Sequence, residues 1–457
     1  MDDQHYQQLP EKIALSIKAI VLRVDPDGLV LGFANPQDQD AIAIAEHCLN
    51  AYIKPVKLEE EDVMRRLRLL FRKVNAIQAY ADSMMVYEEQ PFIAEIVQQD
   101  DSHIATLVKL IVQDALDMQA SDIHLEVAPE SLKVRLRIDG LLQEYPIYRY
   151  AIRDHLVRYL KLLADIDITE QVRPTEGKKV TLTLDGQEVN LRLSFLPTYD
   201  GQSVAIRLLR PASAYVLKEN IHHWEYQQAI RDYLARGAGL LLMSGPTGSG
   251  KTTTLYSALQ EVNQSSTKII TLEDPIEARL PGIIQIQMND AVGFHFADAI
   301  RAVLHQDPDV LMVGEVRDEL AASMLIRAAM TGHLVLATIH AKGVVDIPLR
   351  LLNLGVDPYL LASAMQLNVS QRLVRCLCLR CRGDGCHYCQ QTGIFGREAV
   401  VEWLWLTPEM IDALARNAIA DYLVLAREAM KGKTLKDHAD RLVQEGRIPL
   451  SEALRCV

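Results

Sequence analysis

The sequence predicts a multidomain α/β chain built around an open parallel sheet, and three observations carry that prediction. Beyond Pro211, four apolar runs (GLLLMS, KIITLED, DVLMVGE and HLVLATIH) alternate with helical stretches, the pattern of strands buried on both faces. Upstream, over residues 101–212, one amphipathic helix (HIATLVKLIVQDALDM) precedes shorter alternating runs broken by Asp-Gly turns, which reads as an α+β domain. The length of 457 residues leaves room for about three domains, so a further small lobe fits beside these two.

That lobe comes first in the chain. Between Ile13 and about Ala79, strand-like runs surround an Asp-Pro-Asp-Gly turn and precede a helix, AIAIAEHCLNAYI. The polar stretch Tyr87 to Ser102, with five acidic residues, predicts a linker. From Trp403 on, the text (TPEMIDALARNA, ADYLVLAREAM, LKDHADRLVQEG) reads as helices alone. The expected division is an N-terminal lobe over 1–85, a linker over 86–100, an α+β domain over 101–212, an α/β core over 213–375, a cysteine motif over 376–392 and a helical C-terminal part over 393–457.

Charge and apolar patterning narrow the function classes. Lys plus Arg number 48 against 60 Asp plus Glu, a net charge of −12, which disfavours a nucleic-acid binder acting through bulk positive charge. No run approaches about 20 apolar residues, and the opening MDDQHYQQLPEKIA has neither a basic start nor an apolar core, so a cytosolic chain is expected. In that compartment cysteines mark metal rather than disulfides. Five of the seven (Cys376, Cys378, Cys381, Cys386 and Cys389) crowd together, while Cys48 and Cys456 stand alone.

Gly245 to Thr252 reads GPTGSGKT between an apolar strand and a helix opening TTTLYSALQ, the context a phosphate-cradling loop requires. Glycines let backbone N–H groups close on phosphates, Lys251 brings a point charge to the β and γ oxygens, and the Thr252 hydroxyl offers a magnesium ligand. Gly245, Pro246, Thr247, Gly248, Ser249, Gly250, Lys251, Thr252 and Thr253 are the nucleotide-binding candidates, with ATP and Mg2+ as cofactors. DVLMVGEVRD ends a second strand with Glu315, placed to hold a magnesium water or polarise the attacking water. TLEDPIE adds Glu273, Asp274 and Glu277, and TGHLVLATIH sets His333 before and His340 after a fourth strand. Ligands gather at the carboxyl ends of strands in doubly wound sheets, where Glu273, Glu315 and His340 would converge.

With GPTGSGKTTTLY, TLEDPIE, DPDVLMVGEVRD and TGHLVLATIHA in this order, the chain resembles the secretion ATPase superfamily that powers type II secretion and type IV pilus assembly. The likeness extends through ASDIHLE, VRLRIDG, RLSFLPTYDGQSVAIRLL and GREAVVEWL, covering about residues 101–457. It implies a RecA-like ATPase domain preceded by a PAS-like domain, assembled as a cytoplasmic homohexamer beneath an inner-membrane platform protein. The N-terminal lobe would dock on a membrane-anchored partner, giving peripheral association with the membrane and no direct contact with nucleic acid. By the same resemblance Arg192 and Arg207 are arginine fingers reaching the γ-phosphate. Glu315, Glu273 and His340 serve catalysis, with Glu277 and His333 in support.

The cysteine cluster resembles the family's structural zinc insert, with Cys378 and Cys381 in one CxxC, Cys386 and Cys389 in the other, and Cys376 spare. Only Arg382 to Gly385 separates the pairs, a shorter gap than family inserts carry. The N-terminal lobe resembles only the latter half of a longer family domain and lacks the segment that in some members binds cyclic di-GMP, so no such regulation is expected. Two further departures, AKGVVDIPLRL after His340 and His305 where arginine is frequent, lie near the expected nucleotide.

The resulting expectation is an ATP hydrolase driving pilus or pseudopilus assembly. A pilus retraction motor, a DNA-translocating hexameric ATPase and a scaffold that binds ATP without turnover are the alternatives. No basic tract or aromatic stripe supports the DNA motor.

Overall fold

In the computed structural model, described residues are 9–25, 28–60, 63, 64, 66, 67, 103–129, 131–145, 148–184, 186–289 and 295–456, so the linker expected over 86–100 lies outside them. The chain forms two compact units, Met1–Arg210 with Cys378–Phe395, and Pro211–Leu377 with Gly396–Val457. The cysteine motif thus belongs to the first unit, although the chain reaches it from the second.

The first unit opens with α1 (Glu11–Ser16), β1 (Ala19–Asp25), β2 (Gly28–Phe33), α2 (Gln39–Leu49) and β3 (Ile53–Lys57). β1 and β2 are antiparallel across the expected turn, with a register shift between Val21 and Arg23. β3 runs parallel to β2. α2 starts where Asp38 accepts the Ala41 N–H at 3.0 Å, a side-chain cap worth about 1 kcal/mol. Its Ala41, Ala45 and Leu49 pack with Ile20, Leu31, Phe33 and Ile53 of the sheet into a small core.

The α+β domain of this unit contains α3 (His103–Asp117), β4 (Ala120–Ala128), β5 (Ser131–Ile138), β6 (Leu141–Glu144), β7 (Tyr148–Arg149), α4 (Tyr150–Leu163), β8 (Thr175–Glu176), β9 (Val180–Leu184), β10 (Gln187–Thr198) and β11 (Gly201–Leu209). The strands order as β6-β5-β4-β11-β10-β8, with β7 on β5 and β9 on β10. Alternation along β10 sends Val189, Leu191, Leu193 and Phe195 into one core with Leu107 and Ile111 of α3 and Leu156 and Leu160 of α4. The opposite face carries the polar residues between them. There the register aligns Arg192, Arg207, Asp122 and Arg137 in a single row across β10, β11, β4 and β5.

The second unit begins with α5 (Leu217–Asn220), α6 (Trp224–Leu234), β12 (Gly239–Ser244), α7 (Lys251–Val262), β13 (Ile269–Glu273) and β14 (Ile284–Gln287). It continues with α8 (Phe296–Leu304), β15 (Val310–Val313), α9 (Glu319–Met330), β16 (Leu334–Ile339), α10 (Asp346–Asn353), α11 (Pro358–Ala364), β17 (Met365–Leu377) and β18 (Ile394–Trp405). These form a seven-stranded sheet ordered β14-β13-β15-β16-β12-β17-β18. The four strands expected from the apolar runs are all present and mutually parallel where they pair. Both faces are covered, which is why those runs do not alternate. Leu240 and Leu242 pack with Phe296, Ile300, Leu325 and Ile326 of α8 and α9. Leu241 and Met243 face the other way, onto Tyr226 and Tyr233 of α6 and Leu255 and Leu259 of α7.

Residues 394–405, expected within a helical C-terminal part, form β18 instead, and the tail is helical only from α12 (Pro408–Ala415) through α13 (Ile419–Ala429), α14 (Leu435–Gln444) and α15 (Leu450–Ala453). β14 and β17 were also not foreseen. β17 hides its strand character behind buried polar residues, Asn368, Ser370 and Gln371, which interrupt the apolar run while pairing inside the fold.

Candidate nucleotide site and thiolate cluster

The phosphate loop spans the turn from β12 into α7, whose first residue is Lys251. Gly250 caps that helix at φ 85°, and Gly245 sits at φ 151°. A Cβ on Gly245 would lie 2.5 Å from both the Gln371 carbonyl oxygen and Ser249 Oγ, so only glycine lets β17 press against the loop. By contrast a Cβ on Gly248 meets nothing within 4 Å among the described residues. Ser249 Oγ is buried with no hydrogen-bond partner among the described residues, an orphan polar group within the cradle. Lys251 Nζ donates to the carbonyls of Gly245 at 2.6 Å and Pro246 at 3.0 Å. Burial holds its ammonium below the usual lysine range; the Glu315 carboxylate opposes that shift, and Arg372 adds to it. A partly desolvated cation over open backbone N–H groups is suited to a polyphosphate.

Sheet order decides what stands beside the loop. β16 lies between β12 and β15, so the residues after β15 and β16 emerge together at the carboxyl edge. There His340 Nε2 and Glu315 Oε1 are 3.0 Å apart. Arg317 Nε donates to Glu315 Oε2 at 2.9 Å and Arg317 Nη2 reaches Asp274 Oδ2 at 3.4 Å. Glu315, His340 and Asp274 are thereby brought together.

Two other expected site residues go elsewhere. Glu273 is 2% exposed and accepts hydrogen bonds from the Tyr256 hydroxyl, from Thr271 Oγ1 at 2.5 Å and from Gln285 Nε2 at 3.1 Å. Burial raises its pKa against the opposing pull of these donors. Its carboxylate is committed to α7 through Tyr256, and the same hydroxyl accepts the Glu277 N–H at 3.3 Å. His333 packs its Nδ1 2.9 Å from the Ala328 carbonyl and 3.1 Å from Thr331 Oγ1, at the end of α9.

Sequence reasoning missed Gln371 and Arg372. Gln371, 2% exposed on β17, donates from Nε2 to the Ser249 carbonyl at 2.8 Å and accepts the Thr254 hydroxyl at 2.8 Å, pinning the loop and the first turn of α7 at once. Arg372 Nη2 donates to the Lys342 carbonyl at 2.6 Å, holding the segment just after His340. That segment is also held by Glu402, a buried carboxylate that accepts the Val344 N–H and the Leu435 N–H, each at 2.9 Å. A buried glutamine beside a phosphate-loop strand was the available signal, and it is visible only once β17 is recognised.

In the first unit, Arg192 Nη2 donates to Glu176 Oε2 at 2.6 Å, and Arg207 Nε to Asp122 Oδ1 at 3.0 Å. Arg137 Nε lies 3.9 Å from the other oxygen of Asp122. One carboxylate therefore serves two guanidiniums of the row.

The cysteine motif closes on itself. Sγ separations are 3.9 Å for Cys378 to Cys386, 3.7 Å for Cys381 to Cys389 and 3.7 Å for Cys386 to Cys389, and all four sulfurs lie within 4.8 Å of one another. A zinc–sulfur bond of about 2.3 Å sets tetrahedral sulfurs about 3.8 Å apart, so the cluster fits that ion. The Cys389 sulfur accepts the N–H groups of Cys386 and Gly393, each at 3.2 Å, as a thiolate ligand would. Cys376, on β17, is outside the four.

Residues 97–455 match the protein family described as type II/IV secretion system protein. The chain belongs to that family. It is 36% identical over 392 residues to the type II secretion system protein HxcR of Pseudomonas aeruginosa, covering 84% of this chain and 83% of that one. Over 488 aligned residues it is 33% identical to the type IV pilus assembly ATPase TfpB of Acinetobacter baylyi, covering 98% and 83%. Among solved structures it is similar to the ADP-bound pilus retraction motor PilT, at 26% identity and a TM-score of 0.56, covering 77% of this chain and 96% of that one. This member of the secretion ATPases is thus an ATP-hydrolysing enzyme of RecA-like fold, as its motifs imply. No helix among the described residues is long and apolar enough to cross a membrane.

Proposed function

We propose that the chain is a homohexameric Mg-ATP motor that drives assembly of type IV pili or type II secretion pseudopili from the cytoplasmic face of the inner membrane. The observation that carries this reading is the meeting of Glu315 and His340 beside the Lys251 loop in a member of this family. In this reading the loop from Gly245 to Thr253 holds the triphosphate. Mg2+, when bound, would be held by Thr252 and through water by Glu315, and would neutralise charge developing between the β and γ phosphates. Glu315 orients and polarises the attacking water, His340 holds Glu315, and Glu273 acts through Tyr256 on α7.

Arg192 and Arg207 are the arginine fingers, worth about 10³-fold or more in turnover for a finger that meets the transferring phosphate. Their present partners Glu176 and Asp122 would be exchanged for phosphate oxygens. Cys378, Cys381, Cys386 and Cys389 would hold a structural Zn2+. The lobe over 1–85 docks on a membrane-anchored protein, the 101–212 domain carries the fingers, and the 213–375 core acts on an inner-membrane platform protein.

Hydrolysis measured over a range of protein concentrations, with mass determined in ATP and Mg2+, tests the motor. Turnover that rises with hexamer formation and is lost in both Lys251→Ala and Arg207→Ala supports it. An active Arg207→Ala protein would falsify the finger assignment. Retraction is the second reading, favoured by the likeness to PilT; a protein that restores fibre assembly, not retraction, to an assembly-deficient strain decides against it.

A further inference from the structure

We infer that Glu402 is a positioning residue for ATP turnover: it joins the segment that follows His340 to the N-terminus of α14, so that the C-terminal helices set where His340 stands. This inference rests on the reading of Glu315 and His340 as the residues that serve turnover.

Glu402 lies on β18, outside the phosphate loop and outside the loops that follow β15 and β16. It is 6% exposed, and a carboxyl so deep in a fold is kept only where its oxygens are met. Each oxygen meets a different part of the chain. Oε1 accepts the Val344 N–H, just beyond His340, and Oε2 accepts the Leu435 N–H, each at 2.9 Å. Leu435 opens α14, so its N–H is one of the donors that the helix itself leaves unpaired. A single side chain therefore satisfies the start of a C-terminal helix and holds the segment after His340.

Other groups tighten the same stretch. Arg372 Nη2 donates to the Lys342 carbonyl at 2.6 Å, Asn368 Nδ2 to the Val344 carbonyl at 3.4 Å, and the Tyr422 hydroxyl of α13 to the Val345 carbonyl at 3.0 Å. The Val344 side chain is buried with Met410 and Leu414 of α12 and with Tyr422 and Ala426 of α13. Where the chain passes Glu402 there is no room for a methyl group, because a Cβ on Gly343 would stand 2.7 Å from Glu402 Oε1. The backbone beyond His340 is thus anchored by β17, β18 and the C-terminal helices, whereas Glu315 follows β15.

The His340 contact with Glu315 at 3.0 Å is made across that division. Consecutive Cα atoms are about 3.8 Å apart, so a displacement at Val344 passes along a short, nearly inextensible tether to the His340 main chain. Misplacing a group that serves the chemistry by about 1 Å costs on the order of 10²-fold in rate. The phosphate loop is held separately, by Gln371 on the Ser249 carbonyl, so the effect falls on kcat and spares ATP binding.

A double-mutant cycle on the full-length protein tests this. Glu402→Gln, whose amide oxygen can accept only one of the two N–H donors, is expected to lower kcat about tenfold and to leave KM for ATP within about twofold. In a His340→Ala background the same substitution should change kcat by less than about twofold, since the side chain it acts through is gone. Gly343→Ala displaces Oε1 while leaving Glu402 in place, and it should repeat both results. Circular dichroism checks the fold of each variant, and Gly343→Ala carries the test should Glu402→Gln fail to fold. Wild-type kcat in either folded variant overturns the inference. So does a fall of equal size with and without His340, which marks a merely structural role, or a raised KM at unchanged kcat. His340→Ala with wild-type kcat overturns the reading of the site itself, and that single variant reports it independently of Glu402.

Discussion

His340 and Glu315, from loops that follow neighbouring strands, face each other at 3.0 Å between Nε2 and Oε1. Their contact follows from strand order, because β16 alone separates the phosphate-loop strand from β15. The histidine thus fixes one carboxylate oxygen while Arg317 takes the other.

Glu315→Gln should therefore bind ATP as the wild type does and lose turnover by about 10²-fold or more, the usual contribution of a positioned base. His340→Ala should lower kcat less, since Arg317 still holds Glu315. Steady-state hydrolysis beside equilibrium binding of a fluorescent ATP analogue separates the two; a Glu315→Gln protein with normal kcat would remove Glu315 from the chemistry.

Replacing Gln371 by Leu leaves the Ser249 carbonyl and the Thr254 hydroxyl without their buried partner, and each unmet group costs about 1–3 kcal/mol. Part of that cost falls on the loop's geometry. ATP affinity should drop about tenfold, and Gln371→Glu, which keeps the Thr254 bond but repels the Ser249 carbonyl, should fall between. Unchanged affinity in both variants would mean the loop holds its shape unaided.

Burial, and after it the neighbouring His223, hold the His438 imidazole down to about 4. The native protein then binds fewer protons than the unfolded chain between about pH 6.5 and 4, so this group's contribution to stability is intact above 6.5 and drains as pH falls. Its Nδ1 accepts the Val401 N–H at 3.0 Å, a role asparagine can keep. His438→Asn should accordingly lose less stability than the wild type on acidification. Urea unfolding midpoints at neutral and mildly acidic pH measure it, and parallel curves would refute it.

Zinc content should discriminate among the cysteines. Cys389→Ser, which removes one of the four converging sulfurs, should bind far less zinc, whereas Cys376→Ser should bind as the wild type does. Metal release on thiol modification gives the number directly.

Residues whose placement depends on a local pattern were legible in the sequence. The phosphate loop, Glu315, His340 and the paired CxxC turns need only a strand, a turn and a spacing, and each lies where the text places it. The surroundings of Glu273 were not legible, because at the end of a buried strand it reads like Glu315, while the donors that claim it, Tyr256 and Gln285, come from α7 and the edge strand β14. Gln371 and β17 escaped because burial of polar residues is decided by neighbours remote in sequence. No periodicity announces that Asn368 donates to the Val344 carbonyl at 3.4 Å. The placing of the cysteine motif with the first unit is likewise a long-range outcome.

The neck of that motif is closed by the Cys378 N–H donating to the Gly393 carbonyl at 2.8 Å, just where the chain leaves β17 and enters β18. Neighbouring strands and this bond fix both ends of the excursion, and the four sulfurs fix its middle. The stretch from Arg382 to Gly385 turns through left-handed positions at Arg382, Gly383 and Gly385, with the Arg382 N–H on the Cys378 carbonyl at 2.7 Å, the Asp384 N–H on the Cys381 carbonyl at 3.1 Å and Gly383 against Gly393, where a Cβ on Gly393 would lie 2.3 Å from the Gly383 carbonyl oxygen. The tip is thereby folded back onto the neck, and a peptide tag inserted between Gly383 and Asp384 would part Gly383 from Gly393 and break the Asp384 bond to Cys381, so an insertion there should be felt at the thiolate cluster.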